Sequence, residues 1–142
     1  MELRDYLLRE IEKIGTVIRA IRQKLFGGTD ELAISVDNQA EVLKEMLLEE
    51  AYIDLDEFLA LDVLKTDEYL AGHKGFNVEN IELLALTLSD LGLNSKSPDS
   101  AGLLEKALQL YEICNRRDKT FSFDREASMN RIRNALQALR PG

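Results

Sequence analysis

The sequence has one cysteine, one histidine, two prolines and no tryptophan among its 142 residues. A lone Cys114 and a lone His73 cannot supply an intrachain disulfide, a cysteine/histidine zinc site or a four-cysteine cluster, and much familiar catalytic chemistry goes with them. Long apolar runs are missing too, and no segment approaches the roughly 18 uninterrupted apolar residues of a membrane span. Met1-Glu2-Leu3-Arg4-Asp5 puts acids where a secretory signal carries its basic region. A cytoplasmic protein is therefore expected, and an unpaired Cys114 agrees with a reducing compartment. Proline stands only at 98 and 141, and no stretch alternates β-branched residues with period two, so strands are not expected.

What the chain does have is 45% hydrophobic residues and a net charge of −8. A chain of this length buries roughly two-thirds of its unfolded surface as a single domain. The charge is unevenly spread. Residues 1–26 carry six bases and four acids, 27–100 carry four bases and 17 acids, and 101–142 carry eight bases and five acids. An acidic middle repels phosphate backbones, so nucleic-acid binding would be confined to the C-terminal third.

The apolar spacing predicts an all-α protein of about six helices. The first runs from Glu2 to Phe26, where Leu7, Ile11, Ile14, Ile18, Ile21 and Leu25 recur at spacings of four and three. Gly27-Gly28 ends it. The second starts near Thr29, an N-cap residue, and continues through Val36, Ala40, Leu43, Leu47 and Ala51, with Glu41, Glu45 and Glu49 on its other side. Asp54 caps a third helix carrying Phe58, Leu59, Val63 and Leu64, and Gly72-His73-Lys74-Gly75 breaks the chain. Asn77 caps the fourth, whose face is Ile81, Leu84, Ala85, Leu88 and Leu91 and which Gly92 is expected to end. Ser97-Pro98 signals the start of the fifth, with Leu103, Leu104, Ala107, Leu110, Tyr111 and Cys114. Phe121 and Phe123 read as plugs between this helix and a sixth that carries Met129, Ile132, Leu136 and Leu139.

Leu88-x-x-Leu91-Gly92 and Ala107-x-x-x-Tyr111-x-x-Cys114 together resemble the two helices of a tetratricopeptide repeat, over roughly residues 78–117. Small residues let antiparallel helices approach, and the aromatic fills the gap toward the next unit. Continuing the period puts Arg125 and Ser128 where that family has a large residue and a leucine, and Leu93–Ser100 makes a long inter-helix turn. The resemblance implies antiparallel hairpins stacked in a short array, used as a scaffold for a protein or peptide partner. Its groove positions would map onto Leu86, Ser89, Asp90 and Leu93. None is basic, so a clamp for a C-terminal carboxylate is not expected, and a ligand would be met by apolar contacts or by basic side chains of its own. Asp5-Tyr6-Leu7-Leu8-Arg9-Glu10-Ile11-Glu12 also resembles the start of small bacterial proteins, which implies no activity.

The whole of 1–142 is thus expected to form one helical domain. Residues 1–26 form its amphipathic N-terminal helix, 29–75 an acidic hairpin and 77–140 the tetratricopeptide-like helices. Arg116, Arg117, Lys119, Arg125, Arg131, Arg133 and Arg140, with Phe121 and Phe123 between them, form the one basic and aromatic stretch, and Arg116, Arg117, Lys119, Arg131 and Arg133 are its candidate partner surface. Guanidinium groups and aromatic rings could also hold a single-stranded nucleic acid, though the acidic whole disfavours it. The Leu7 to Leu25 seam has the spacing of a coiled coil and is a candidate homodimer interface, unless it packs on the chain's own helices. Glu41, Glu45 and Glu49 share an acidic helix face with Asp54 close behind, and a small enzyme would need Glu45, Glu49 or Asp54 in a pocket beside His73. But Phe58 and Leu59 spoil an EF-hand reading, and no glutamate has a histidine three residues on. No cofactor or metal is expected, and the function read from the sequence is non-catalytic protein–protein interaction.

Overall fold

The computed structural model describes residues 2–27, 36–95 and 99–139. Among them the chain is all helical, with seven helices: α1 (Glu2–Phe26), α2 (Val36–Ala51), α3 (Leu55–Ala60), α4 (Val63–Gly72), α5 (Val78–Asn94), α6 (Ser100–Asp118) and α7 (Phe123–Leu139). The expected helix starts at Thr29 and at Ser97-Pro98 fall outside the described residues. None of the helices is long and apolar enough to cross a membrane.

Side-chain caps decide several boundaries. Asn77 Oδ1 accepts from the Asn80 amide at 2.9 Å and opens α5, as the sequence predicts. The expected third helix is two helices instead. Leu61 leaves helical conformation with its N–H on Phe58 O, and Asp62 restarts the chain by accepting the Lys65 amide at 2.8 Å. Gly92 does not end α5, which continues to Asn94 and so shortens the turn expected from Leu93 onward. Its missing side chain serves packing. A Cβ there would stand 2.8 Å from Leu104 Cγ and 3.3 Å from Ser100 O, so α6 crosses α5 where only hydrogen fits.

The α5–α6 hairpin is the largest helix–helix interface; α7 packs on α6 and on α5, α1 on α5 and α2, α2 on α3, and α3 on α6. The core runs through all of these. Leu84, Ala85, Leu88 and Leu91 of α5 meet Leu103, Leu104, Ala107 and Leu110 of α6, with Ile14, Ile18 and Ile21 of α1 on one side and Met129 and Ile132 of α7 on the other.

Buried polar side chains tie the elements together. Asn80 Nδ2 donates to Ile11 O and Gly75 O, both at 2.8 Å, joining α1, the turn before α5 and α5 itself. Arg22 spans from α1 to Thr87 Oγ1 at 3.1 Å and Asp90 Oδ2 at 2.7 Å. Lys106, 2% exposed, donates to Leu61 O and to Thr66 Oγ1, and its ammonium lies 5.2 Å from the centre of the Phe58 ring. That lysine holds α6 against the junction of α3 and α4.

Candidate functional site

The packing of α7 across α5 and α6 leaves a cleft of about 540 Å³ between the three helices. Its floor is apolar, with Val78, Leu83 and Leu86 of α5 and the buried Tyr111 of α6. With Glu79 and Glu82, which also line the cleft, these α5 residues recur three and four apart, so they share a face next to the stripe that enters the core. Its rim is acidic, with Glu79 and Glu82 on α5, Asp118 at the end of α6 and Asp124 at the start of α7. Ser128 and Arg125 complete the wall from α7.

Arg125 is the organising charge. It is 5% exposed and sits one helical turn before Met129 and two before Ile132, on the buried side of α7. Its Nε donates to Glu82 Oε1 at 2.8 Å, and Nη2 donates to the same oxygen and to Asp118 Oδ2 at 3.3 Å. Nη1 donates to Asn115 Oδ1 at 3.0 Å. Burial disfavours the guanidinium, but Glu82 and Asp118 outweigh it and hold Arg125 above its ordinary pKa. Beneath it, burial pushes the Tyr111 hydroxyl up, a hydrogen bond with Ser128 opposing the shift. Burial also pushes the Cys114 thiol up to about 12, so Cys114 is a packed apolar residue and not a nucleophile at neutral pH.

The residues singled out from sequence fare differently. Ser89 is buried, Asp90 is held by Arg22 of α1, and Leu93 is packed against the core, so these three do not line the cleft. Only Leu86 of the mapped groove positions does. In the basic stretch, Arg117 lies 2.6 Å from Asp67 Oδ1 and Arg116 3.5 Å from Asp67 Oδ2, which pins the end of α6 to α4. Arg133 turns to Glu126 and Asn130 of its own helix. Lys119 adopts a left-handed conformation with φ 59° as the C-cap of α6, and Arg131 is exposed.

Phe121 and Phe123 are not core plugs. They are 65% and 82% exposed and stack edge to face on each other at 4.8 Å at the start of α7, where Arg125 and Met129 take the buried side of the helix. The candidate dimer seam is largely spent within the chain. Ile14, Ile18, Ile21 and Leu25 are buried against α2 and α5, and only Leu7 and Ile11 keep part of their surface. Glu41, Glu45, Glu49 and Asp54 point to solvent, while His73 packs between the rings of Tyr69 and Phe76, so the acid–histidine pocket of the alternative enzyme reading is not assembled. Among the described residues, no group of three or more His, Cys, Asp or Glu side chains is placed to hold a metal ion.

Sequence reasoning passed over Glu82, Asn80 and Lys106, and placed Arg125 only in the basic stretch. The signal for two of them was present: Arg125 and Lys106 interrupt apolar stripes, at the spacings Arg125–Met129–Ile132 and Leu103–Lys106–Leu110. A charge on the buried side of a helix needs a partner across the interface. Compared with protein-family models, with curated proteins and with solved structures, the chain has no match.

Proposed function

We propose that the protein is a non-catalytic interaction module that holds a protein partner in the cleft between α5, α6 and α7. The observation that supports this reading is the cleft itself, an apolar floor of Val78, Leu83 and Leu86 inside a ring of charged side chains. Apolar surface with a few placed polar groups is how binding sites are usually built, and a half-open wall between helices suits an extended or helical segment of another chain. The stacking of α5, α6 and α7 also agrees with the tetratricopeptide-like reading, in which hairpins are scaffolds for partners.

A photo-crosslinking amino acid at Leu86 tests the proposal, with one at Leu64 of α4, an exposed position away from the cleft, as control. Irradiation in cells is expected to join a protein to the Leu86 derivative and not to the Leu64 derivative, with a yield unchanged by nuclease. A product that disappears with nuclease, or no product at Leu86, would overturn it.

A further inference from the structure

We infer that the cleft takes a basic peptide segment, in which an apolar side chain lies on Val78, Leu83 and Leu86 and neighbouring lysines or arginines meet Glu79 and Asp124. This rests on the interaction reading above and adds the chemistry of the partner.

The charge of the cleft carries it. Four carboxylates face the opening against a single guanidinium. A buried arginine in a pocket commonly marks a receptor for phosphate or carboxylate. Here that role is taken. Every nitrogen of Arg125 already donates within the chain, to Glu82, Asp118 and Asn115, and the pairs with the two carboxylates close over it. An incoming anion would lose its water and meet Glu82 and Asp118 first.

A cation meets the opposite situation. Glu79 and Asp124 are exposed on facing helices and form no ion pair among the described residues. Glu82 Oε1 receives both Arg125 bonds and Asp118 uses Oδ2, so among the described residues the second oxygen of each carboxylate is left to accept from outside. Arg125 thus fixes two carboxylates at the cleft wall without neutralising the rim. The apolar floor between them selects a peptide over a simple cation, because its face is only covered when carbon is laid on it.

Fluorescence anisotropy with a short labelled peptide alternating leucine with lysine tests the inference, alongside the same peptide with glutamate for lysine. The lysine peptide is expected to bind saturably and the glutamate peptide not to bind. Reversing the rim with Glu79→Lys and Asp124→Lys together is expected to weaken binding about tenfold or more. The same charge change on α2, Glu45→Lys with Glu49→Lys, is expected to leave it within about twofold. All four side chains are exposed, so both double variants should keep the circular dichroism of the parent.

Equal loss in the two double variants would reduce the effect to net charge and overturn the inference. So would binding of the glutamate peptide, or competition by spermidine as effective as by the unlabelled peptide. If Leu86 crosslinks to a protein but the lysine peptide does not bind, the interaction reading stands and the basic chemistry falls. If neither occurs, both fall.

Discussion

Lys106 Nζ lies 2.6 Å from Thr66 Oγ1, and among the described residues its only other polar partner is the Leu61 carbonyl. Among the described residues no carboxylate touches it, and the Phe58 ring faces it. Burial, partly opposed by Asp62, lowers its pKa from the ordinary 10.5. A cationic group with a lowered folded pKa binds more protons in the unfolded chain, so its penalty on folding is full below the folded value and fades as pH rises toward 10.5. Wild type should therefore gain stability relative to Lys106→Met as pH is raised from neutrality toward 10.5, read as the difference in urea midpoints. A difference that stays flat over that window would place the ammonium in water.

Gly92→Ala separates two expectations. Helix propensity alone says that alanine in α5 should stabilise by about 0.5–1 kcal/mol. The Leu104 side chain and the Ser100 carbonyl say the reverse, since an added methyl would force the α5–α6 hairpin apart. A loss of about 1–3 kcal/mol in chemical denaturation is expected.

Asn80→Ala should cost about 2 kcal/mol, because it strips donors from the carbonyls of Ile11 and Gly75 in an interior with no substitute. Asn80→Asp should cost more at neutral pH, since a carboxylate would face those same two oxygens. Hydrogen exchange in α1 around Ile11 should quicken in both variants while α6 exchanges as before.

Cys114 should be silent toward a thiol reagent in the native protein, its thiol pushed up to about 12 by burial and its sulfur against the Val78 carbonyl at 3.7 Å. The labelling rate should rise with urea in step with loss of helix. Prompt labelling without denaturant would mean that α6 opens locally beside the cleft.

Much of the scaffold could be read from residue spacing. The seam from Ile14 to Leu25 packs inward, the Asn77 cap opens α5 and Ala107, Tyr111 and Cys114 are all buried, because each depends on a few neighbours in sequence. The break at Leu61-Asp62 was hidden, since a helix-capping aspartate inside an apolar run looks like a surface charge until Lys106 arrives from 45 residues away to take the Leu61 carbonyl. The cleft was less legible still. Phe121 and Phe123 drew attention as core residues and proved exposed, whereas Arg125, two positions on, is the buried one. Position along a helix decides which side chain goes inside, and that phase is set by how α7 lies on α5 and α6.

The clasp between Arg22 and Asp90 joins residues 68 apart in the chain. Translation at about 5–20 residues per second puts roughly 3–14 seconds between the synthesis of the two. For that interval Ile14, Ile18 and Ile21 have no α5 to cover them, and α2 shields only part of the stripe. α1 is thus made well before the helix that covers it, and a nascent chain halted before residue 90 presents a greasy ridge to whatever waits at the ribosome.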